Sequence, residues 1–178
     1  MSLPIPGSLI SEGGRKILCE LAAASPPGCF VEFGVFNGGS AYELAKVAEE
    51  QGREIFLYDT FEGMPYQHPE YDRHKVGDLK TVDYELLQLQ IPNAVFVKGI
   101  FPDSLLEYMP PIAFCHVDAD QYDSIKAAYR VFGPLMVKGG IMVFDDYLAL
   151  PGATKALDEV AGKENIELTA NNKALLRF

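Results

Sequence analysis

"IAFCHVDADQYDSIKAAYRVFGPLMVKGGIMVFDDY", residues 112–147, is the stretch that decides the fold. An apolar run from Ile112 ends at Asp118 and Asp120. The segment from Tyr122 to Met136 reads as a helix, its last turn broken at Gly133-Pro134. A second apolar run from Gly140 then ends at Asp145 and Asp146. Strand, helix, strand is the repeating unit of a parallel sheet. The unbroken apolar runs suit strands covered on both faces. Ionised carboxylates at the end of a buried strand are expensive to desolvate unless something pairs with them. A parallel sheet would bring these two pairs to one edge.

The rest of the chain continues the alternation. "SEGGRKILCELAAAS" reads as an opening helix, with Ile17, Leu18, Leu21 and Ala22 on one face and "PPG" as its stop. "CFVEFGVF", "EIFLYDTF" and "NAVFVKGIF" read as strands, and "GSAYELAKVAEEQG" as the helix between the first two, with Ser40 near its start and Gly52 past its end. "GATKALDEVAG" reads as a last helix, followed by strands "IELTA" and "KALLRF" joined at "NN", an antiparallel hairpin at the sheet edge. The expected fold is α/β: a Rossmann-like, doubly wound, seven-stranded and mostly parallel sheet, antiparallel at its last strand, with helices on both faces.

The chain of 178 residues reads as a single domain, 1–178, and is 48% hydrophobic, enough for a packed core. One segment departs from the alternation. Residues 62–92, "EGMPYQHPEYDRHKVGDLKTVDYELLQLQIP", hold prolines, charges of both signs, His68 and His74, with a short helix near residues 82–89. This reads as a lid or acceptor-site insertion.

Net charge is −10 and the pI about 4.7. Nucleic-acid binding needs clustered Lys and Arg, so that class is excluded. No apolar run is long enough for a membrane span. The N-terminal "MSLPIPGSLI" lacks a basic, apolar leader pattern, so the expected location is the cytoplasm. Cys19, Cys29 and Cys115 have no zinc-like spacing, and Cys29 and Cys115 lie in apolar runs as buried, inert thiols.

In such sheets ligands bind beyond the carboxyl ends of the strands. After the first strand, "VEFGVFNGGS" places Glu32 and Gly34 at the strand end and Gly38, Gly39 and Ser40 at a helix start, where backbone can approach a ligand and free amides attract an anion. The spacing is neither a P-loop nor a dinucleotide fingerprint. Asp59 follows the second strand, roughly 20 residues on, where such folds put an acid on a ribose diol. Singly, Asp118 and Asp120 could cap a helix and Asp145 and Asp146 could serve a turn. Together, four carboxylates with no lysine or arginine in either motif call for a hard divalent cation, and oxygen-only ligands favour Mg²⁺, Mn²⁺ or Ca²⁺ over zinc.

"VEFGVFNGGSA", "YDTFEGMP", "KGIFPDSL" and "HVDADQYDSIKAAYRVFGPLMVKGGIMVFDDY" together resemble class I S-adenosylmethionine-dependent methyltransferases, and more narrowly the macrocin and mycinamicin O-methyltransferase family. The resemblance runs from about Phe30 to Tyr147. It implies that Glu32, Gly34, Gly38, Gly39 and Ser40 hold the methionine end of S-adenosylmethionine, that Asp59 holds the ribose, and that Thr60 and Phe61 flank the adenosine. It also implies that Asp118, Asp145 and Asp146 bind Mg²⁺ and that Asp118 and Asp120 are catalytic, with Asp120, or a lid histidine, as general base. Asp118 would also touch the cofactor, and Gly99 to Phe101 are candidates for the adenine pocket. On that reading an acceptor oxygen of a small molecule, a sugar or another diol, attacks the sulfonium methyl. Asp145→Ala would then abolish metal-dependent activity and leave cofactor binding intact. The family's habit makes a homodimer the candidate assembly. About 30 residues precede the first strand, fewer than in the antibiotic-pathway enzymes, whose longer N-terminal segment helps build the acceptor site.

Three further readings are open from sequence. A catechol or caffeoyl-type O-methyltransferase would share the three-acid site. A non-catalytic cofactor-binding protein would share the fold. A short-chain dehydrogenase would need a Tyr-x-x-x-Lys dyad, and Tyr42 and Lys46 lie in the wrong helix for it. His116 reads as a structural, hydrogen-bonded histidine, and Tyr122 and Tyr147 as either pocket or packing residues.

Overall fold

The structure is a computed structural model that describes residues 3–178; Met1 and Ser2 of the N-terminal stretch lie outside it. Five strands form the parallel part of the sheet: β1 (Cys29–Phe33), β2 (Ile55–Asp59), β3 (Val95–Lys98), β4 (Ile112–Val117) and β5 (Met136–Phe144). Two more, β6 (Glu167–Leu168) and β7 (Ala174–Arg177), follow the last helix. The sheet order is β3-β2-β1-β4-β5-β7-β6, with β7 antiparallel to β5 and β6 antiparallel to β7.

The final pair is an antiparallel hairpin at the sheet edge, as its turn signal suggests, with β7 beside β5 and β6 outermost. Ala174, Leu175 and Leu176 are all buried, Ala174 and Leu176 in the core on one face of the sheet and Leu175 in the core on the opposite face. The exposed, two-residue β6 forms the edge.

The helices divide by face. α1 (Glu12–Ala24), α2 (Gly39–Glu50) and α3 (Tyr84–Gln90) bury Leu18, Leu44 and Leu87 against Phe30, Leu57, Phe114 and Val143. α4 (Tyr122–Phe132) and α5 (Pro151–Ala161) bury Ile125, Phe132 and Leu157 against the alternate residues Val31, Phe33, Val117 and Phe144. This is the period-2 alternation of a doubly covered sheet. Ser11 caps α1 by accepting from the Gly14 amide, and a 3₁₀ turn, Gly133–Leu135, ends α4 where Gly133-Pro134 occurs.

Chain direction across the sheet reverses between β1 and β4, since β2 lies on one side of β1 and β4 on the other. That switch point opens a crevice at the carboxyl ends of the strands.

Candidate active site

The crevice is a cavity of about 300 Å³. Gly34, Gly39, Ser40, Asp59, Thr60, Gly99 and Phe101 line one part of it. Asp118, Asp120, Asp145 and Asp146 line another. Met64, Pro65, His74 and Leu79 of the 62–92 segment cover it, and Gly7 to Ile10 border it.

The acids meet because the strand register extends one step beyond each strand. The Asp118 amide donates to Phe33 O (2.8 Å) and the Asp145 amide to Val117 O (3.0 Å). Gly34, Asp118 and Asp145 thus form a row across β1, β4 and β5. Gly34 has φ +91°, and a Cβ there would stand 2.0 Å from the Asp118 carbonyl oxygen. Only glycine permits both the angle and the approach.

The acids divide into two overlapping groups. Oxygens of Asp118, Asp120 and Asp146 lie within 4.8 Å of one another, as do ligand atoms of His116, Asp118 and Asp145. Burial, opposed by His116 and Lys173 but reinforced by Asp146 and Glu32, pushes Asp118 up to about 7. Burial, a hydrogen bond with Asp146 and the charges of Asp118, Asp146 and Asp59 push Asp120 up to about 10. Buried carboxylates set close together are a donor set a hard divalent cation fits, because its charge offsets both the burial and the repulsion that raise Asp118 and Asp120. Neither Asp118 nor Asp120 caps α4; that amide end is served by Asp72, whose Oδ1 accepts from the Tyr122 amide (2.8 Å).

Asp145 is placed differently. Its Oδ1 receives the Lys173 ammonium, just before β7, and lies 3.5 Å from His116 Nε2. Neither acidic motif contains a lysine or arginine, and the basic partner of Asp145 comes from elsewhere in the chain. Lys173 stands outside both acidic motifs and reaches Asp145 because Phe144 pairs with Ala174 across the antiparallel ladder. Burial draws the Lys173 ammonium below its ordinary value, against the pull of Asp118.

Three residues assigned to the cofactor by resemblance do not line the cavity. Glu32 is fully buried and its Oε1 lies 2.8 Å from Nδ1 of the equally buried His116; its Oε2 has no partner among the described residues. Gly38, φ +81°, precedes α2, and Leu87 of α3 fills the space a Cβ would take. Phe61 is buried against Tyr84 and Phe96. Gly39 does reach the cavity, but its missing Cβ makes room for Ser8, at 2.2 Å from the Cβ position.

Asp59 is occupied by the protein's own backbone. Its Oδ2 accepts from the amides of Val35 (2.7 Å) and Phe36 (3.0 Å), and its Oδ1 from that of Phe61 (2.8 Å). Phe36 and Phe61 have φ of +51° and +56°, so one carboxylate holds two strained turns in place.

The 62–92 segment is pinned at several points. The amides of Met64 and Gly77 exchange bonds with Asp78 and Met64 carbonyls, at 2.8 and 2.9 Å. Asp72 also accepts from the His68 amide (2.8 Å), and Tyr66 and Ser124 hydroxyls meet at 2.7 Å. His68 stacks on Tyr71, which leaves His74 as the lid histidine at the cavity. Tyr122 and Tyr147 are packing residues whose hydroxyls donate to Glu159 and Asp158. Sequence reading missed Lys173, Asp72 and the Gly7–Ile10 strap. Only Lys173 carried a signal, its position opposite Asp145 once β7 lies beside β5.

Among the described residues no helix is long and apolar enough to cross a membrane. The chain is 26% identical over 176 residues to demethyldecarbamoylnovobiocin O-methyltransferase of Streptomyces niveus, covering 87% of this chain and 66% of that protein. It is 28% identical over 158 residues to 8-demethyl-8-(2,3-dimethoxy-alpha-L-rhamnosyl)-tetracenomycin-C 4'-O-methyltransferase of Streptomyces olivaceus, covering 79% and 60%. The chain thus spans less than two thirds of the length of these relatives. Its fold superposes on that of the O-methyltransferase NovP with a TM-score of 0.82 at 20% identity, over 96% of this chain and 81% of that one. The family match itself covers residues 15–172, and on it the chain belongs to the macrocin O-methyltransferase (TylF) family.

Proposed function

We propose that the protein is an S-adenosylmethionine-dependent, divalent-metal-dependent O-methyltransferase acting on a hydroxyl of a small molecule, a sugar or another diol-bearing natural product. The observation that carries this reading is the single cavity in which a strand-end glycine turn and a helix start face a cluster of carboxylates. Family membership supports the methyl-transfer chemistry, and the two Streptomyces relatives, both named O-methyltransferases, support a natural-product acceptor.

Bound S-adenosylmethionine supplies an electrophilic methyl group, and a bound divalent cation a place to hold and acidify a hydroxyl. The chain's own residues do the rest. The first amides of α2, at Gly39 and Ser40, have no intrahelical partner and suit the carboxylate end of the cofactor. Gly34, Thr60, Gly99 and Phe101 provide the walls for its nucleoside part. Asp118, Asp145 and Asp146, from the ends of β4 and β5, would hold the cation. Asp120, the third acid of the cluster with Asp118 and Asp146, would take the hydroxyl proton once the charge of a cation held beside it has brought its raised pKa down. Met64, Pro65, His74 and Leu79 act as a lid that excludes water and aligns the acceptor.

The test is transfer of a labelled methyl group from S-adenosylmethionine to a panel of glycosides and catechols, with Mg²⁺ or with chelator. Chelator-sensitive labelling of a vicinal diol is expected. Labelling indifferent to chelator would remove the metal from the account, and preference for catechols over glycosides would replace the acceptor class.

A further inference from the structure

The lid segment, residues 62–92, meets the rest of the chain in two different ways. Its middle rests on α4, where Asp72 accepts from the Tyr122 amide and the hydroxyls of Tyr66 and Ser124 meet at 2.7 Å. Both of its ends converge instead on one short turn, residues 35–38, between β1 and α2. Val35 and Phe36 of that turn line the cavity together with Gly34, Gly39 and Ser40.

At the start of the lid, Asp59 accepts from the amides of Val35 and Phe36 through one oxygen and from the Phe61 amide through the other. At its end, the hydroxyl of the buried Thr81 donates to the Phe36 carbonyl (2.7 Å), and the Asn37 side-chain oxygen accepts from the Val82 amide (2.9 Å). Leu87 of α3 then fills the space beside Gly38. The amide and the carbonyl of Phe36 are thus both taken by residues at the roots of the lid. Phe36 has a left-handed φ of +51°, a conformation that persists only where its surroundings fix it. Glu62 also joins the two roots through Lys80 (2.6 Å), but both side chains are exposed, so water and salt weaken that link.

We propose, resting on the reading above that the cofactor lies against this turn, that Asn37 and Thr81 are positioning residues that transmit occupancy of the cofactor site to the acceptor lid. Neither residue lines the cavity, so each acts only through the turn and the lid. A cofactor packed on the cavity side of residues 34–36 restrains the same backbone that the lid roots hold from the other side. A turn conformation favoured by the cofactor therefore favours the seated lid, and the coupling is reciprocal.

Amide hydrogen exchange of the full chain, followed by mass spectrometry with and without saturating S-adenosylhomocysteine, reads this coupling as a ratio of rates. The reporters are the amides of Met64, Asp72, Gly77 and Asp78, which all donate to carbonyls within the lid. The unmodified chain is compared with Asn37→Ala/Thr81→Val. Circular dichroism establishes that the double variant is folded, and calorimetry sets the saturating concentration for each protein. Asn37→Ala alone takes the place of the double variant if that chain does not fold or does not bind.

S-adenosylhomocysteine should slow the reporter amides by at least about fivefold in the unmodified chain, the lower end of the range for coupled sites. In the variant it should still bind but slow them by less than about twofold. A role confined to holding the lid would speed exchange equally with and without ligand and leave the ratio unchanged, and that result would overturn the inference. Lid exchange indifferent to bound S-adenosylhomocysteine in the unmodified chain would overturn it as well. Absence of calorimetric binding to the folded, unmodified chain would instead remove the cofactor reading, and this inference with it.

Discussion

Asp59→Ala separates two roles that a ribose-binding acid and a structural acid would otherwise share. In the structure this carboxylate accepts three backbone amides, from Val35, Phe36 and Phe61. Two of those residues sit at positive φ, so the turns after β1 and β2 depend on an acceptor between them. A hydrogen bond to a charged group contributes about 1.5–3 kcal/mol when buried, and nearer 1 kcal/mol where water can take its place. Asp59 is half-buried, so about 1 kcal/mol for each amide, or about 3 kcal/mol in all, is the expected loss. For a chain of this size 1 kcal/mol moves the thermal midpoint by about 2–4 °C, which places the drop at about 6–12 °C. Asp59→Asn retains one acceptor oxygen but turns an amide NH₂ toward the remaining donors, so it should fall between. The assay is thermal unfolding by circular dichroism, paired with titration of S-adenosylhomocysteine. Both the midpoint and the binding should fall. If binding is lost while the midpoint stays within about 2 °C, the backbone role is refuted and Asp59 serves the nucleoside alone.

Gly34→Ala forces a Cβ against the Asp118 carbonyl at a positive φ, and should lower stability by about 2 kcal/mol or more while weakening metal binding, read by thermal unfolding and Mn²⁺ titration. Asp72→Ala removes the acceptor for the Tyr122 and His68 amides; a loss of about 1 kcal/mol and faster amide hydrogen exchange across residues 64–78 are expected, and unchanged exchange would show that the lid is held elsewhere. Burial pushes the thiols of Cys29 and Cys19 up to about 12 and about 11, and that of Cys115 well above the usual range. The raised values keep the thiolate scarce at pH 8 in the folded state, so a disulfide reagent should label slowly there and rapidly at all three cysteines in guanidinium. Rapid labelling of Cys29 or Cys115 in the folded chain at pH 8 would contradict the packing of β1 and β4.

The elements were legible because their signals are local. Unbroken apolar runs marked β1, β2, β4 and β5, and Gly133-Pro134 marked the end of α4. Asp118, Asp120, Asp145 and Asp146 could be brought together in thought because each follows a strand, and a parallel sheet aligns strand ends. What escaped was contact between residues distant in sequence. Glu32 sits in a glycine motif, yet its side chain turns into the sheet toward His116, 84 residues away. Gly38 and Gly39 read as places for a ligand, whereas Leu87 and Ser8 occupy their missing Cβ positions. Asp72 lies in a loop with no regular pattern, and nothing local tells that it caps α4. Lys173 was the recoverable one. Placing β7 beside β5, with β6 outermost in the hairpin, sets it opposite Asp145.

The central claim, that this cavity is a cofactor site of the methyltransferase kind, is tested most directly by calorimetric titration of the full chain with S-adenosylhomocysteine. The account expects saturable, micromolar binding with one site per chain, retained in Asp146→Asn because that residue serves the cation and not the cofactor. No heat of binding from folded protein, with and without Mg²⁺, would contradict it.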